Sequence, residues 1–254
     1  GQGDYSAALR KYDDLRNSPG AYATDLYEQA GYGMGYTYFK MKQYGEAATA
    51  FRRFVAAEKR ATTQRADAMV RLGDCYFVTK ENTQAVKWYD DAVKAGSDDR
   101  DYAQYQKGVC QGLDRQFNEK IATLKNLLSA QPDSRHAADA KFQLGETYVA
   151  LDNDDAALGY YEQVIKQHAN SPHARQSMLQ AAEIQKRKGN IPQAIEQLKA
   201  IVSKYPTVEG SREALAALEN IHVEQGRVAE YETYVRSLSF VDPSTLDLDE
   251  KYYR

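Results

Sequence analysis

An excess of charge of one sign is missing from this 254-residue chain. Its 33 basic and 36 acidic side chains leave a formal net charge of -3. A surface so evenly balanced lacks the electrostatic footprint of a protein whose main task is binding nucleic acid. Long apolar runs are also missing, and no stretch approaches the roughly 20 residues that a membrane-spanning helix needs. No charged-then-apolar leader follows Gly1, which leaves either a cytosolic protein or one whose targeting segment has been removed. Tryptophan is limited to Trp88, and cysteine to Cys75 and Cys110, too few for a disulfide framework.

Chemistry-bearing motifs are equally scarce. There is no Gly-x-Ser-x-Gly elbow, no phosphate loop ending in Lys-Ser or Lys-Thr, and no Cys-x-x-Cys. The four histidines, His136, His168, His173 and His222, are scattered. His168 and His173 are separated by Ser171-Pro172, so they do not form the i, i+4 pair of a helical zinc site and read as surface residues of a joint. Asp152-Asn153-Asp154-Asp155 imitates the start of a calcium loop, but Ala157 stands where the loop needs glycine and the terminal glutamate is missing. These residues are expected to turn the chain and cap a helix. Gly31-Tyr32-Gly33-Met34-Gly35 imitates a dinucleotide run without the strand or the spacing that run requires. No catalytic residue, cofactor or metal is expected.

What is abundant is self-similarity. Aligned on one small-residue position, the chain shows Gly35, Gly73, Gly108, Gly145, Ala182 and Glu219, at intervals of 38, 35, 37, 37 and 37 residues. Twelve residues after each comes a second slot, filled by Ala47, Ala85, Lys120, Ala157, Ala194 and Tyr231. Small residues at both slots let two helices of a hairpin approach closely. The large residues that follow (Phe51, Tyr89, Leu124, Tyr161, Leu198, Val235) then fill the space between hairpins. A two-helix unit cannot bury its apolar face alone and must stack on copies of itself.

The copies resemble the tetratricopeptide repeat, whose signature runs Trp-x-x-Leu-Gly-x-x-Tyr and then Ala, Phe, Ala and Pro. Leu72, Gly73, Tyr76, Ala85, Tyr89 and Ala92 match it, as do Leu144, Gly145, Tyr148, Ala157 and Tyr161, with Pro132 and Pro206 as closing prolines. The last copy, with Glu219 and Tyr231 in the small slots, departs most, as a capping repeat does. The joints Gln131-Pro132-Asp133-Ser134 and Lys204-Tyr205-Pro206 resemble those of bacterial cell-envelope members of the family, the Tol-Pal accessory and outer-membrane assembly lipoprotein type. At these joints proline stops one helix, and Ser134, or Ser171 ahead of Pro172, is expected to cap the next. The resemblance implies an all-α fold: a right-handed α-α superhelix of about six hairpins plus an amino-terminal half repeat.

The expected organisation is one solenoid over residues 1–238, with a half repeat at 1–20 and repeats starting near 28, 66, 101, 138, 175 and 212. A tail or the start of a further helical region follows at 239–254. Tyr5, Ala8, Tyr12 and Leu15 read as the second helix of a hairpin whose first helix is absent, with Pro19-Gly20 as its exit turn. Both ends therefore read as cuts through a longer array. Cys75 and Cys110 share one repeat slot, which places them about a helix diameter apart, roughly 8–10 Å, beyond disulfide reach. Two unbridged, mostly buried thiols are expected.

Gly31, Gly33 and Gly35 fall within one helix, where each costs about 1 kcal/mol relative to alanine. Packing room for the surrounding tyrosines (Tyr22, Tyr27, Tyr32, Tyr36, Tyr38, Tyr44) is the expected cause. Close approach of a partner's backbone is the alternative.

Family resemblance also implies a concave groove lined by the first helix of each repeat. Carried onto this chain, the lining is Tyr32, Tyr36 and Phe39; Val70, Asp74 and Phe77; Tyr102, Tyr105 and Val109; Phe142, Glu146 and Val149; then Leu179, Glu183, Ala216 and Asn220. The basic clamp by which chaperone-binding members hold a terminal carboxylate has no counterpart, since its first position is apolar in every copy. An aromatic groove with acidic punctuation suits an apolar helix or an extended peptide carrying Lys or Arg. The function expected is a non-enzymatic scaffold for a protein or peptide partner, in the periplasm or at the outer membrane, in a membrane-associated complex, or else in the cytoplasm. The alternatives are a carbohydrate-binding or nutrient-uptake component, which the single tryptophan disfavours, and a spacer or oligomerisation module.

Overall fold

A computed structural model describes residues 4–241; the expected tail falls almost wholly outside them. Among the described residues the chain is all-α, with thirteen α-helices, one short 3-10 turn at Ala21–Ala23 and no strand. They form two compact units, one up to Ala140 and one from Lys141. The first holds α1 (Tyr5–Asn17), α2 (Asp25–Lys40), α3 (Tyr44–Ala57), α4 (Thr63–Val78), α5 (Asn82–Lys94), α6 (Arg100–Leu113) and α7 (Phe117–Ala130). α8 (Ala137–Ala150) runs across the unit boundary. The second unit continues with α9 (Asp154–Gln167), α10 (His173–Arg187), α11 (Ile191–Lys204), α12 (Val208–Glu224) and α13 (Val228–Arg236).

One contact, repeated, builds the first four hairpins. A Cβ placed on Gly35 would lie 2.6 Å from the Phe51 ring, on Gly73 2.5 Å from Tyr89, on Gly108 2.7 Å from Leu124, and on Gly145 2.5 Å from Tyr161. Each glycine is thus a seat for the large residue of the following helix. Phe51, Tyr89, Leu124 and Tyr161 are all fully buried. The second slot is closed equally tightly: Ala47, Ala85, Ala157 and Ala194 are fully buried, and Lys120 and Tyr231 are nearly so.

The turn inside each hairpin also recurs in one register. Lys42, Lys80, Arg115, Asp152, Gly189 and Gly226 all have positive φ, between 54° and 80°. One residue further on, a backbone N–H reaches back over the turn, as Glu81 N does to Tyr76 O at 2.8 Å and Asn190 N to Gln185 O at 2.9 Å. This is a Schellman closure, which satisfies carbonyls that a helix end otherwise leaves unpaired.

The joints between hairpins differ in part from expectation. Thr62 caps α4 by accepting from Arg65 N at 3.1 Å, and Thr207 caps α12 by accepting from Gly210 N at 2.9 Å. Ser134 Oγ accepts from His136 N at 3.0 Å and donates to Asp101 Oδ2 at 2.8 Å. Ser171 caps nothing: its hydroxyl is buried without a partner, and its backbone carbonyl accepts Ala174 N at 3.1 Å instead. The imitation calcium loop is a helix start, in which Asn153 Oδ1 accepts Ala156 N at 3.1 Å. Arg187 pairs with Asp154 and Lys188 with Asp155. The Asp154 carboxyl is held below its ordinary range, chiefly by Arg187.

Candidate functional site

In the first unit the first helices of successive hairpins, α2, α4 and α6, lie side by side. A polar chain runs across them. Tyr32 Oη donates to Asp67 Oδ2 at 2.7 Å, and Tyr36 Oη donates to the same oxygen. Arg71, one helical turn along α4, reaches Asp67 Oδ1 at 3.4 Å, Asp74 Oδ2 at 2.6 Å and Asp99 Oδ2 at 2.9 Å. Asp74 Oδ1 accepts from Tyr89 at 2.8 Å and from Tyr102 at 2.9 Å. Four helices, α2, α4, α5 and α6, are therefore joined by one guanidinium, three carboxylates and four phenols.

Burial sets the electrostatics. It raises the Tyr36 phenol to about 12, helped by the adjacent Asp67, and the Tyr102 phenol to about 12, helped by the charge of Asp74. These hydroxyls stay protonated and serve as donors. Burial also pushes the Asp74 carboxyl up, and Arg71, Tyr89 and Tyr102 pull it back.

The expected groove residues are thus distributed unequally. Tyr32, Tyr36, Phe39, Phe77, Tyr102, Tyr105 and Val109 are half-buried, while Val70 is wholly enclosed. Asp74 is only 6% exposed and its oxygens are taken by internal donors. Tyr105 stacks on His136 with centroids 5.1 Å apart and planes 7° from parallel. Phe39 meets Tyr44 edge-on at 5.4 Å.

In the second unit Phe142 is buried and stacks on His173 at 4.4 Å. Glu146 and Glu183 on α8 and α10 are exposed, as are Ala216 and Asn220 on α12. His173 and His168 are half-buried rather than surface residues, with His168 Nε2 3.0 Å from Lys141 Nζ. Among the described residues no group of three or more His, Cys, Asp or Glu is placed to hold a metal ion.

Between α10 and α12 lies a cleft of about 240 Å³ in which Leu179, Glu183 and Asn220 come together. Its floor is apolar, made by Leu198, Ala182, Ala217 and Ile221; Gln176 and Gln180 add carboxamides to the rim. Two ion pairs bridge the flanking helices at either end: Arg175–Glu213 at 2.6 Å and Lys186–Glu224 at 2.9 Å. Sequence reading missed these pairs, and also Asp67 and Arg71. A signal for the pairs existed, because each joins opposite charges 38 residues apart, close to one repeat length.

Comparisons with known proteins agree with the helical-hairpin fold. The tetratricopeptide-repeat family pattern matches residues 32–100, and a second pattern of the same description matches 139–171 and 176–207. No curated protein matches the chain in sequence. Among solved structures, that of YrrB, described as a TPR protein with an unusual peptide-binding site, is 16% identical. It aligns over 85% of this chain and 98% of its own with a TM-score of 0.58. The apo form of RapI aligns over 92% of this chain and 75% of its own, with a TM-score of 0.63 and 11% identity. A MamA structure from Desulfovibrio magneticus RS-1 aligns over 80% and 96%, with a TM-score of 0.54 and 15% identity. At such identities these likenesses concern the fold alone, but together the matched segments exceed half of the sequence, and the chain belongs to the tetratricopeptide-repeat superfamily.

Proposed function

We propose that this chain is a non-enzymatic scaffold that holds a protein or peptide partner against the first-helix faces of its hairpins. The observation that carries this reading is the cleft between α10 and α12. An apolar floor takes up a side chain, while the carboxamides of Gln176, Gln180 and Asn220 offer both donors and acceptors to a passing backbone. Glu183, exposed on the rim, and Glu146, exposed on α8, favour a segment carrying Lys or Arg. In the first unit, Tyr32, Tyr36, Tyr102 and Tyr105 contribute half-buried rings whose rigidity lowers the entropic cost of contact. No helix among the described residues is long and apolar enough to cross a membrane. The proline-bearing joints at Pro132 and Pro206 favour a bacterial cell-envelope setting, periplasmic or outer-membrane-associated.

The test is a peptide-library screen on the immobilised chain and on its Leu179→Arg and Asn220→Arg variants. Basic-apolar binders captured by the parent are expected to be lost from both variants while the helical circular-dichroism signal is unchanged. Equal capture by all three proteins would remove this face as the site.

A further inference from the structure

The first hairpin breaks its own repeat at two positions, and the structure brings the two breaks together. Gly31 lies four residues before the repeat glycine, where the next five copies carry Met69, Gln104, Lys141, Met178 and Leu215. Arg16 lies eight residues after Ala8, the small slot of α1, where the corresponding residues of the next five copies are Val55, Val93, Leu128, Ile165 and Val202. At the equivalent place in the second unit, Ile165 and Met178 line an aliphatic dent. Here a long side chain is replaced by none and an aliphatic one by a guanidinium.

The result is a groove on the second-helix side of α2, with α1 and α3 as its walls. Two adjoining hollows of about 320 and 330 Å³ share Arg16, Ala50 and Arg53. The floor of one is Gly31 and of the other Met34, both buried. A Cβ on Gly31 would meet nothing nearer than Phe54 at 4.0 Å, so backbone or side chain of another molecule can descend to helix α2 at this point.

Arg16 is held in place but not satisfied. Its Nη2 donates to Tyr27 Oη at 2.9 Å, its guanidinium lies 4.6 Å from the centre of that ring, and Nη1 faces Met34 Sδ at 3.7 Å. Its Nε is buried with no acceptor. An unmet buried donor on a charged group is an uncommon and costly feature. Two carboxylates line the hollows, Glu28 in one and Glu46 in the other, yet neither Arg16 nor Arg53 forms an ion pair among the described residues, and Glu28 lies 3.7 Å from Arg60.

We propose that this groove docks an acidic peptide segment of a partner protein, with an Asp or Glu carboxylate received by Arg16 and Arg53 and the neighbouring apolar side chains seated over Gly31 and Ala50. A carboxylate is the acceptor that answers a planar guanidinium, and the small residues beneath it leave room for the segment's own backbone. This site is separate from the cleft between α10 and α12 and takes a segment of opposite charge.

The test uses short synthetic peptides with one Glu between two Leu, paired with the same peptides carrying Gln, titrated against the whole chain by fluorescence anisotropy. Glu peptides are expected to bind about tenfold or more tightly than Gln peptides, and to weaken as salt is raised. Arg16→Leu and Gly31→Met each restore the residue type of the other copies. The first is expected to abolish the Glu preference and the second to abolish binding, with Leu179→Arg leaving both intact. Absence of a Glu preference in the parent, or its survival in either folded variant, would overturn the proposal. Because the two variants act independently, failure of one to fold leaves the other to decide.

Discussion

Tyr89 Oη donates to Asp74 Oδ1 at 2.8 Å from within the seat that Gly73 makes for its ring. The same side chain therefore closes a hairpin with its ring and anchors a carboxylate with its hydroxyl. Tyr89→Phe keeps the ring and removes one of three donors to Asp74. It is expected to lower unfolding free energy by about 1–2 kcal/mol. Asp74→Ala strands the hydroxyls of Tyr89 and Tyr102 and one arm of Arg71, and is expected to cost more, about 3–5 kcal/mol. Chemical denaturation of the two variants checks the order; a Tyr89→Phe variant as stable as the parent would show that the hydroxyl of Tyr89 adds nothing.

The three glycines of α2 are expected to respond to alanine with different signs. Helix propensity favours each replacement by about 1 kcal/mol. At Gly31 space is open, so Gly31→Ala should stabilise by about that amount. At Gly33 the new methyl would stand 2.5 Å from the Tyr12 ring, and at Gly35 2.6 Å from the Phe51 ring. Overpacking of that kind costs about 1–3 kcal/mol, enough to cancel or reverse the gain. Gly35→Ala should destabilise most, because Phe51 is wholly buried and cannot swing aside. Thermal unfolding of the three variants ranks them directly, and a stabilised Gly35→Ala would refute the seat.

How far the sequence was legible depends on whether a feature repeats. The seats and the small slots recur at one interval, so the residues were readable from spacing, but the large ones, expected between hairpins, sit on the glycine of their own hairpin. The packing explanation of Gly33 was right in kind but wrong in partner: the ring above it is that of Tyr12 in α1, not one of the tyrosines of its own region. Asp67 and Arg71 were not legible as a link between helices, because the bonds that make them one cross from α4 to α2 and to Asp99 ahead of α6, and only the pairings of Arg71 with Asp67 and Asp74 lie within a single copy. Asp74 read as groove punctuation beside Glu146 and Glu183, which are exposed; the reach of Tyr89 and Tyr102 draws it inside. Ser171 resembled a cap by its place before proline, yet its own carbonyl had already answered Ala174.

Acid sensitivity should arise at the exit of α3. Glu58 Oε1 accepts from both Arg60 N at 2.8 Å and Arg60 Nε at 2.9 Å, and Oε2 accepts from Arg60 Nη2 at 2.7 Å. Hydrogen bonds from the side chain and then the backbone of Arg60 lower the Glu58 carboxyl from 4.5 to about 2. A folded pKa below the unfolded value means that the contribution is complete above about 4.5 and is lost as pH falls towards about 2. The parent is therefore expected to lose stability across that window, and Glu58→Gln to lose less of it. Urea unfolding at neutral pH and within the window compares the two slopes; identical slopes would assign the acid loss to other carboxylates.

Both thiols should be inert in the folded chain. Cys75 and Cys110 are buried and unbridged, and burial, aided by Asp74 for the first and Asp114 for the second, raises each to about 12. Since the thiolate is the reacting species, a thiol with that pKa is ionised at about pH 8 to only about one part in ten thousand. Enclosure then removes access even for that fraction. A bulky aromatic disulfide reagent is expected to label neither cysteine on the timescale on which it labels both in denaturant. The protection should fall at Cys75 in Gly73→Ala, where displacement of Tyr89 opens the hairpin beside it, while Cys110, on the next first helix, stays protected. Simultaneous exposure of both would instead mean that α4 and α6 unfold as one cooperative piece, joined through Asp74 and Tyr102.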